Sequence, residues 1–227
     1  MKKILFLAIA ITTAITVAAQ APKEGSYVIR PMVGFNLASN SAEGNIVTKG
    51  KTTFNMNSEY RRGFTAGVEV GYQMKKWFQP SVGIFYSQQG SIYDMNYPLV
   101  HAKPKMQFDY LIAPILANFY VWKGLAIKAG IQPGLLVRSS ASENVMEYDA
   151  SDFTRKFQLQ IPAGVSYQYK NVIVDARVFI PVMRVYHSKD LKRHLMTADA
   201  GLRSAVSDVF SLSLGYSFEF GKSQSSK

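Results

Sequence analysis

The last apolar segment of the chain, residues 209–220, alternates strictly between two kinds of side chain. Its apolar positions are Phe210, Leu212, Leu214, Tyr216, Phe218 and Phe220. The positions between them are Ser211, Ser213, Gly215, Ser217 and Glu219. A period of two predicts a β-strand with one face in an apolar environment and the other facing polar groups. An aromatic-rich apolar face is also typical of strands that cross a membrane as part of a β-barrel.

Seven other segments alternate in the same way, so the sequence predicts eight strands. These strands cover residues 27–37, 63–74, 78–87, 108–116, 125–138, 157–169, 172–182 and 209–220. Turns of two or three residues alternate with long loops over residues 39–60, 89–105, 139–155 and 186–208. The pattern predicts an all-β fold: an eight-stranded antiparallel up-and-down transmembrane β-barrel with short periplasmic turns and long extracellular loops.

The direction of the apolar faces separates a membrane barrel from a soluble one. A lipocalin-type barrel would turn these faces inward, but roughly fifty apolar side chains exceed what an eight-stranded interior holds. Glycines and other small residues on the alternate face suit a narrow lumen, and aromatic residues gather at both strand ends, as they do at membrane interfaces. We therefore expect lipid outside the barrel. In the fourth strand this places five residues toward lipid: Phe108, Tyr110, Ile112, Pro114 and Leu116.

Six prolines fall inside the predicted strands: Pro31, Pro80, Pro114, Pro133, Pro162 and Pro181. Each removes a hydrogen-bond donor from a sheet that has no free edge. We expect bulges or register shifts at some of these positions.

The N-terminus has the features of an export signal. Lys2 and Lys3 precede an apolar run that ends in small residues before Gln20, which predicts a cleaved signal peptide over residues 1–19 and a barrel domain over residues 20–227. The chain has no cysteine, so disulfides and thiolate chemistry are excluded. The net charge of +11 in an exported chain without nucleic-acid motifs favours anionic lipid head groups as partners.

Five segments together resemble one known family. They are the signal ending Ala18-Ala19-Gln20, residues 82–90, residues 110–114, residues 129–134 and the final strand. The family that they resemble is the small porin-like outer-membrane β-barrel family of Bacteroidetes. The resemblance spans essentially the mature chain and implies a location in the outer membrane of a Gram-negative bacterium. Within the final strand, Ser213, Gly215, Phe218 and Phe220 resemble the C-terminal signal that the barrel-assembly machinery reads, although residues 221–227 follow it.

Charged residues recur on the predicted polar face. The cations are Arg30, Lys128, Arg138 and Arg177, and the anions are Glu69, Asp109, Asp175 and Glu219. Because unpaired buried charges are costly, we expect a salt-bridge network that fills the lumen. Its predicted members near the periplasmic end are Arg30, Glu69, Lys128, Asp175 and Arg177. The alternative is a narrow conduit for protons, ions or small solutes.

A second set of charges is basic and lies where the strands meet the long loops. It consists of Arg61, Arg62, Lys103, Lys105, Arg155, Lys156 and Arg184. Lipopolysaccharide phosphates lie at this height, so Arg61, Arg62, Arg155, Lys156 and Arg184 are predicted contacts. Ordinary solvation of strand ends explains the same residues equally well.

The sequence offers little for catalysis. The histidines His101, His187 and His194 all lie in predicted loops, without a defined nucleophile or metal-ligand spacing. We therefore expect no enzyme activity, cofactor or metal, and a structural or loop-mediated role at the cell surface. A narrow channel is the first alternative, and an outer-membrane lipid-modifying enzyme is a weaker one.

Overall fold

The computed structural model describes residues 21–40, 44–48, 51–96, 101–102, 105–143, 146–149, 156–182, 199–200 and 207–221. The predicted signal peptide lies outside these residues. Within them, no helix is long and apolar enough to cross a membrane.

The regular elements among the described residues are all β-strands. They are β1 (Tyr27–Asn40), β2 (Gly44–Thr48), β3 (Lys51–Tyr72), β4 (Phe78–Asn96), β5 (His101–Ala102), β6 (Lys105–Ile112), β7 (Ile115–Trp122), β8 (Leu125–Glu143), β9 (Met146–Asp149), β10 (Phe157–Tyr169), β11 (Val172–Pro181), β12 (Asp199–Ala200), β13 (Ser207–Tyr216) and β14 (Phe218–Phe220). Every pairing between them is antiparallel.

The sheet closes on itself. Its order runs β3, β1, β13, β11, β10, β8, β6 and β4, and β4 pairs again with β3. β7 continues β6 between β4 and β8, and β14 continues β13 beside β1. Counting each interrupted pair as one strand gives eight, so the predicted eight-stranded antiparallel barrel is confirmed. Closure removes the open edges that lipid could not satisfy.

The strands extend further than predicted at the end that carries the long connections, here called the loop end. β3 begins at Lys51, β4 continues to Asn96 and β8 continues to Glu143. The short strands β2, β5 and β9 pair back onto them. Parts of three predicted loops are therefore antiparallel ribbons that continue the barrel. Alternation did not predict these ribbons, because the Asn, Ser and Thr in them obscure the pattern.

The predicted alternation is correct in most strands. In β10 and β11, the apolar residues Ile161, Val165, Val174 and Val178 are 42–49% exposed. The polar residues between them face the lumen and are buried.

β6 and β7 reverse the predicted orientation. Phe108, Tyr110, Ile112 and Leu116 are 1–4% exposed and face inward, whereas Leu111 is 43% exposed on the outer surface. Both faces of this segment are apolar, so alternation could not distinguish them. The inward assignment follows from the partners across the ladder, because Phe85 of β4, which is itself buried, pairs with Ile112.

The prolines interrupt ladders without shifting them. Pro114 separates β6 from β7, yet the pairing to β4 keeps one register across the gap, from Phe85 with Ile112 to Val82 with Ile115. The register shifts of the barrel wall lie at residues 60–65, 109–110 and 120–122, away from all six prolines. The expectation of bulges at the prolines was therefore wrong. A missing donor removes a single ladder bond, and the neighbouring pairs hold the register.

Candidate functional site in the barrel lumen

Five charged side chains meet inside the barrel near the end that carries the short turns, here called the turn end. They are Arg30, Glu69, Lys128, Asp175 and Arg177, and we name them the charge layer. They come from β1, β3, β8 and β11, and each side chain is at most 7% exposed. All five occupy inward positions close to the turn-end termini of their strands.

Glu69 contacts all three cations of the charge layer. Its Oε1 accepts hydrogen bonds from Lys128 Nζ at 3.1 Å and Arg30 Nη1 at 3.4 Å. Its Oε2 accepts a bond from Arg177 Nη2 at 2.7 Å. A carboxylate with three charged donors around it satisfies the pairing that buried charges require.

Asp175 links two of the same cations from the other side. It accepts a hydrogen bond from Lys128 Nζ at 2.7 Å, and bonds from Arg177 Nε at 2.5 Å and Arg177 Nη2 at 3.0 Å. Arg177 therefore bridges both carboxylates, as does Lys128. The result is one connected network across the lumen.

The charge layer holds three cations and two carboxylates, and polar side chains surround the extra cation. Arg30 Nη1 donates to Gln79 Oε1 at 2.7 Å, and its Nη2 donates to the Tyr120 hydroxyl at 2.9 Å and to Gln168 Oε1 at 3.3 Å. Tyr120 is one of the aromatic residues near the strand ends, which were predicted to face the membrane interface. Its spacing of two and four from the inward residues Asn118 and Leu116 is the signal that assigns it to the lumen.

Glycine makes room for the charged side chains. Gly164 of β10 pairs with Lys128 of β8 on one side and with Arg177 of β11 on the other. A Cβ at this position would lie 3.0 Å from Arg177 Cγ and 2.2 Å from the carbonyl oxygen of Ala176. A larger residue would therefore displace the backbone that positions the charge layer.

A second group of lumen residues is apolar and lies mainly nearer the loop end. We name Met32, Phe85, Phe108, Tyr110, Ile112 and Ile173 the apolar layer, because they form one buried cluster. Phe85 lies over two glycines: a Cβ on Gly67 would come within 2.5 Å of its ring, and one on Gly83 within 2.7 Å. Alternation does not predict this layer, because apolar side chains were expected to face lipid.

Little space remains between the two layers. A cavity of about 20 Å³ is lined by Met32, Phe85 and Ile112 on one side and by Gln132 and Arg177 on the other. This volume corresponds to about one water molecule. At this point between the two layers, the described side chains therefore leave little free space.

The sequence itself decides the family. Residues 18–188 match the family described as "Outer membrane protein beta-barrel domain", and the closed sheet has the architecture that this description requires. The chain belongs to this family. Membership places it in the outer membrane. No curated protein matches the chain.

Solved structures of other outer-membrane barrels are similar to this family member. OprG from Pseudomonas aeruginosa is 13% identical with a TM-score of 0.47, covering 88% of this chain and 99% of OprG. Neisserial surface protein A is 17% identical with a TM-score of 0.46, covering 86% and 98%. Ail, the attachment invasion locus protein of Yersinia pestis, is 15% identical with a TM-score of 0.41, covering 86% and 100%.

Three predicted lumen charges lie outside the charge layer. Asp109 is buried, at 2% exposure, and accepts hydrogen bonds from Gln107 Nε2 at 3.0 and 3.1 Å. It pairs with Arg138 beside a register shift. The shift turns Arg138 to the outer surface, where it is exposed. Glu219 is exposed at the turn end, and its carboxylate accepts a hydrogen bond from the backbone N–H of Lys23 at 2.9 Å.

The predicted lipopolysaccharide contacts are only partly described. Arg62 and Lys156 are exposed at the loop end. Arg61 is partly buried, because its guanidinium donates to the Gln89 carbonyl at 3.2 Å and to Gln107 Oε1 at 2.5 Å. Arg155 and Arg184 lie outside the described residues, as does Lys103. The structure therefore fixes Arg61 against its own barrel and leaves Arg62 and Lys156 facing outward.

The residues of the predicted assembly signal lie where the last strand meets the first. Phe218 and Phe220 of β14 pair with Ile29 and Tyr27 of β1 and are 45% and 53% exposed. Gly215 of β13 pairs with Met32, whose Cγ would lie 2.7 Å from a Cβ at this glycine. The signal thus coincides with the strand that closes the barrel.

Of the three histidines, the structure describes only one. His187 and His194 lie outside the described residues, and His101 is in β5. Across the described parts of the chain, no group of three or more histidine, aspartate or glutamate side chains is arranged to hold a metal ion.

Proposed function

We propose that this outer-membrane barrel is closed to solutes by its own side chains and has a non-catalytic, structural or interactive role at the cell surface. The observation that carries the proposal is the charge layer, in which Glu69 and Asp175 bind three cations across the lumen. The ribbons that extend β3, β4 and β8 beyond the barrel provide the surface for interaction at the loop end.

The energetics support a closed lumen. Opening a path through the charge layer requires separating buried ion pairs, and removing one partner of such a pair costs about 3–5 kcal/mol.

The test is conductance of the purified, heat-modifiable barrel in a planar bilayer. We expect the wild type to be silent and a variant with Arg30→Ala and Arg177→Ala to leak, because both changes remove cations that cross the lumen. Arg62→Ala, at an exposed position of the loop end, is the matched control and should remain silent. Discrete wild-type channel steps whose ion selectivity changes in the double variant would instead make transport the function.

A narrow channel is the second candidate, and one observation favours it. Three buried amide atoms on neighbouring strands have no hydrogen-bond partner in the described structure: Gln132 Oε1, Gln158 Nε2 and Gln160 Nε2. Water along the wall formed by β8 and β10 would satisfy them. Proton flux into dye-loaded vesicles distinguishes the candidates, since a closed barrel gives the flux of protein-free vesicles and a water path gives a flux that Gln132→Leu reduces.

We also propose that the loop end contacts lipopolysaccharide phosphates. Support comes from Arg62 and Lys156, which are exposed, and from Arg138, which the register shift turns outward. Charge reversal at Arg61, Arg62 and Arg155 should reduce lipopolysaccharide retained through purification. Reversal at Lys75, an exposed residue at the opposite end, is the control, and unchanged retention in the loop-end variant would remove the proposal.

A further inference from the structure

The turn end repeats one combination of residues. Its three short connections have the sequences Lys75-Lys76-Trp77, Trp122-Lys123-Gly124 and Tyr169-Lys170-Asn171. Each connection therefore places a lysine directly beside an aromatic residue. These lysines are all exposed, and they lie at the opposite end of the barrel from the extended ribbons.

The backbone at two of these lysines is unfavourable for lysine. Lys123 has φ 25° and Lys170 has φ 51°. Among the residues that the structure describes, they are the only non-glycine residues with positive φ. Both occupy two-residue hairpin connections, where glycine or asparagine adopts a left-handed conformation more readily. Turn formation therefore does not explain why lysine occupies both positions.

The aromatic neighbours hold the two ammonium groups at a defined depth. Lys123 Nζ lies 5.9 Å from the ring centroid of Trp122, and Lys170 Nζ lies 5.8 Å from that of Tyr169. Trp122 and Tyr169 are themselves 53% and 38% exposed. Tryptophan and tyrosine rings favour the head-group region of a bilayer. A cation held against such a ring lies at the level of the lipid phosphates.

The nearby carboxylates do not neutralise these lysines. Glu24 forms its ion pair with Lys75 at 3.6 Å, and Glu219 accepts the backbone N–H of Lys23. In the part of the chain that the structure describes, no ion pair joins a carboxylate to Lys76, Lys123 or Lys170. Three ammonium groups at this end are therefore available to an external anion.

We propose that Lys76, Lys123 and Lys170 form a binding surface for the phosphate groups of anionic phospholipids in the periplasmic leaflet. Lysine near a membrane surface is attracted to anionic lipid, and the adjacent aromatic residues embed in the same interface. This surface is at the opposite end of the barrel from the proposed cell-surface role and is independent of whether the lumen conducts.

The experiment compares the full chain in two kinds of vesicle, phosphatidylcholine alone and phosphatidylcholine mixed with phosphatidylglycerol. The variant carries Lys123→Asn and Lys170→Asn. In phosphatidylcholine alone we expect its thermal midpoint to be about 2–4 °C above that of the wild type, because asparagine tolerates the left-handed backbone. Adding phosphatidylglycerol should raise the wild-type midpoint, and it should raise that of the variant, which keeps only Lys76 of the three lysines, by a smaller amount. High salt should remove the difference in response.

Two controls separate charge from position. Lys123→Arg with Lys170→Arg keeps both charges and should retain the wild-type response to phosphatidylglycerol. Lys105→Asn removes an exposed lysine at the loop end of β6 and should also retain it. An asparagine variant that responds to phosphatidylglycerol as the wild type does would overturn the proposal. Loss of binding to isolated peptidoglycan sacculi in that variant, without a lipid-dependent shift, would also overturn it and assign the lysines to peptidoglycan carboxylates.

Discussion

The two layers of the lumen fill the same cylinder by different means. In the charge layer, five long side chains cross the lumen and each meets at least two partners of opposite charge or polar character. In the apolar layer, aromatic and aliphatic side chains pack over glycines such as Gly67. The charge layer depends on charge pairing, and the apolar layer depends on close packing. The same barrel therefore contains one layer that is sensitive to charge and one that is sensitive to volume.

The largest effect is expected from Glu69→Ala, which removes the contact shared by Arg30, Lys128 and Arg177. Three buried cations would then face Asp175 alone. We expect a loss of about 3–5 kcal/mol in the free energy of unfolding, measured by urea titration in micelles. The double variant Glu69→Ala with Lys128→Met removes one of the excess cations and should recover part of that loss. Equal stability of the single and double variants would contradict a charge-dependent layer.

Phe108→Ala tests the volume-dependent layer. Phe108 is 1% exposed inside the lumen, so its truncation should leave a cavity and cost about 3 kcal/mol. The conductance of the Phe108→Ala variant should equal that of the wild type, because the charge layer stays intact. Leu111→Ala is the matched control, since Leu111 lies on the same strand but faces outward, where lipid can fill the space. A larger loss of stability for Leu111→Ala than for Phe108→Ala would instead support the orientation that the sequence predicted.

Two glycines on β3 sharpen the comparison with a smaller effect. Gly67→Ala places a Cβ 2.2 Å from the Ile84 carbonyl oxygen and 2.5 Å from the Phe85 ring, and overpacking of this kind costs about 1–3 kcal/mol. Gly71→Ala meets only the Gln79 side chain, at 3.0 Å. Differential scanning calorimetry should rank Gly67→Ala below Gly71→Ala in stability. The reverse order would show that the charge layer is the more tightly packed of the two.

The sequence predicted the charge layer better than the apolar layer for a physical reason. Arg30, Glu69, Lys128, Asp175 and Arg177 lie in strands whose other face is clearly apolar, so alternation assigns them inward. In residues 108–116 both faces are apolar, so alternation does not show which face points into the lumen. The one-residue shift beside Asp109, which turns Arg138 outward, has no signal in the sequence, because a bulge changes the face without changing composition.

The smallest effect is expected where charge pairing is exposed. Glu24 and Lys75 form an ion pair at 3.6 Å at the turn end, with side chains 43% and 65% exposed. Solvent screens such a pair, so Glu24→Gln should change the free energy of unfolding by about 0–1 kcal/mol. High salt should remove even that difference, which urea titration at low and high salt would measure. The loss caused by Glu69→Ala should persist at high salt, because the carboxylate of Glu69 is fully buried. If the two variants showed the same salt dependence, water would have access to the charge layer, and the lumen would conduct through its polar wall.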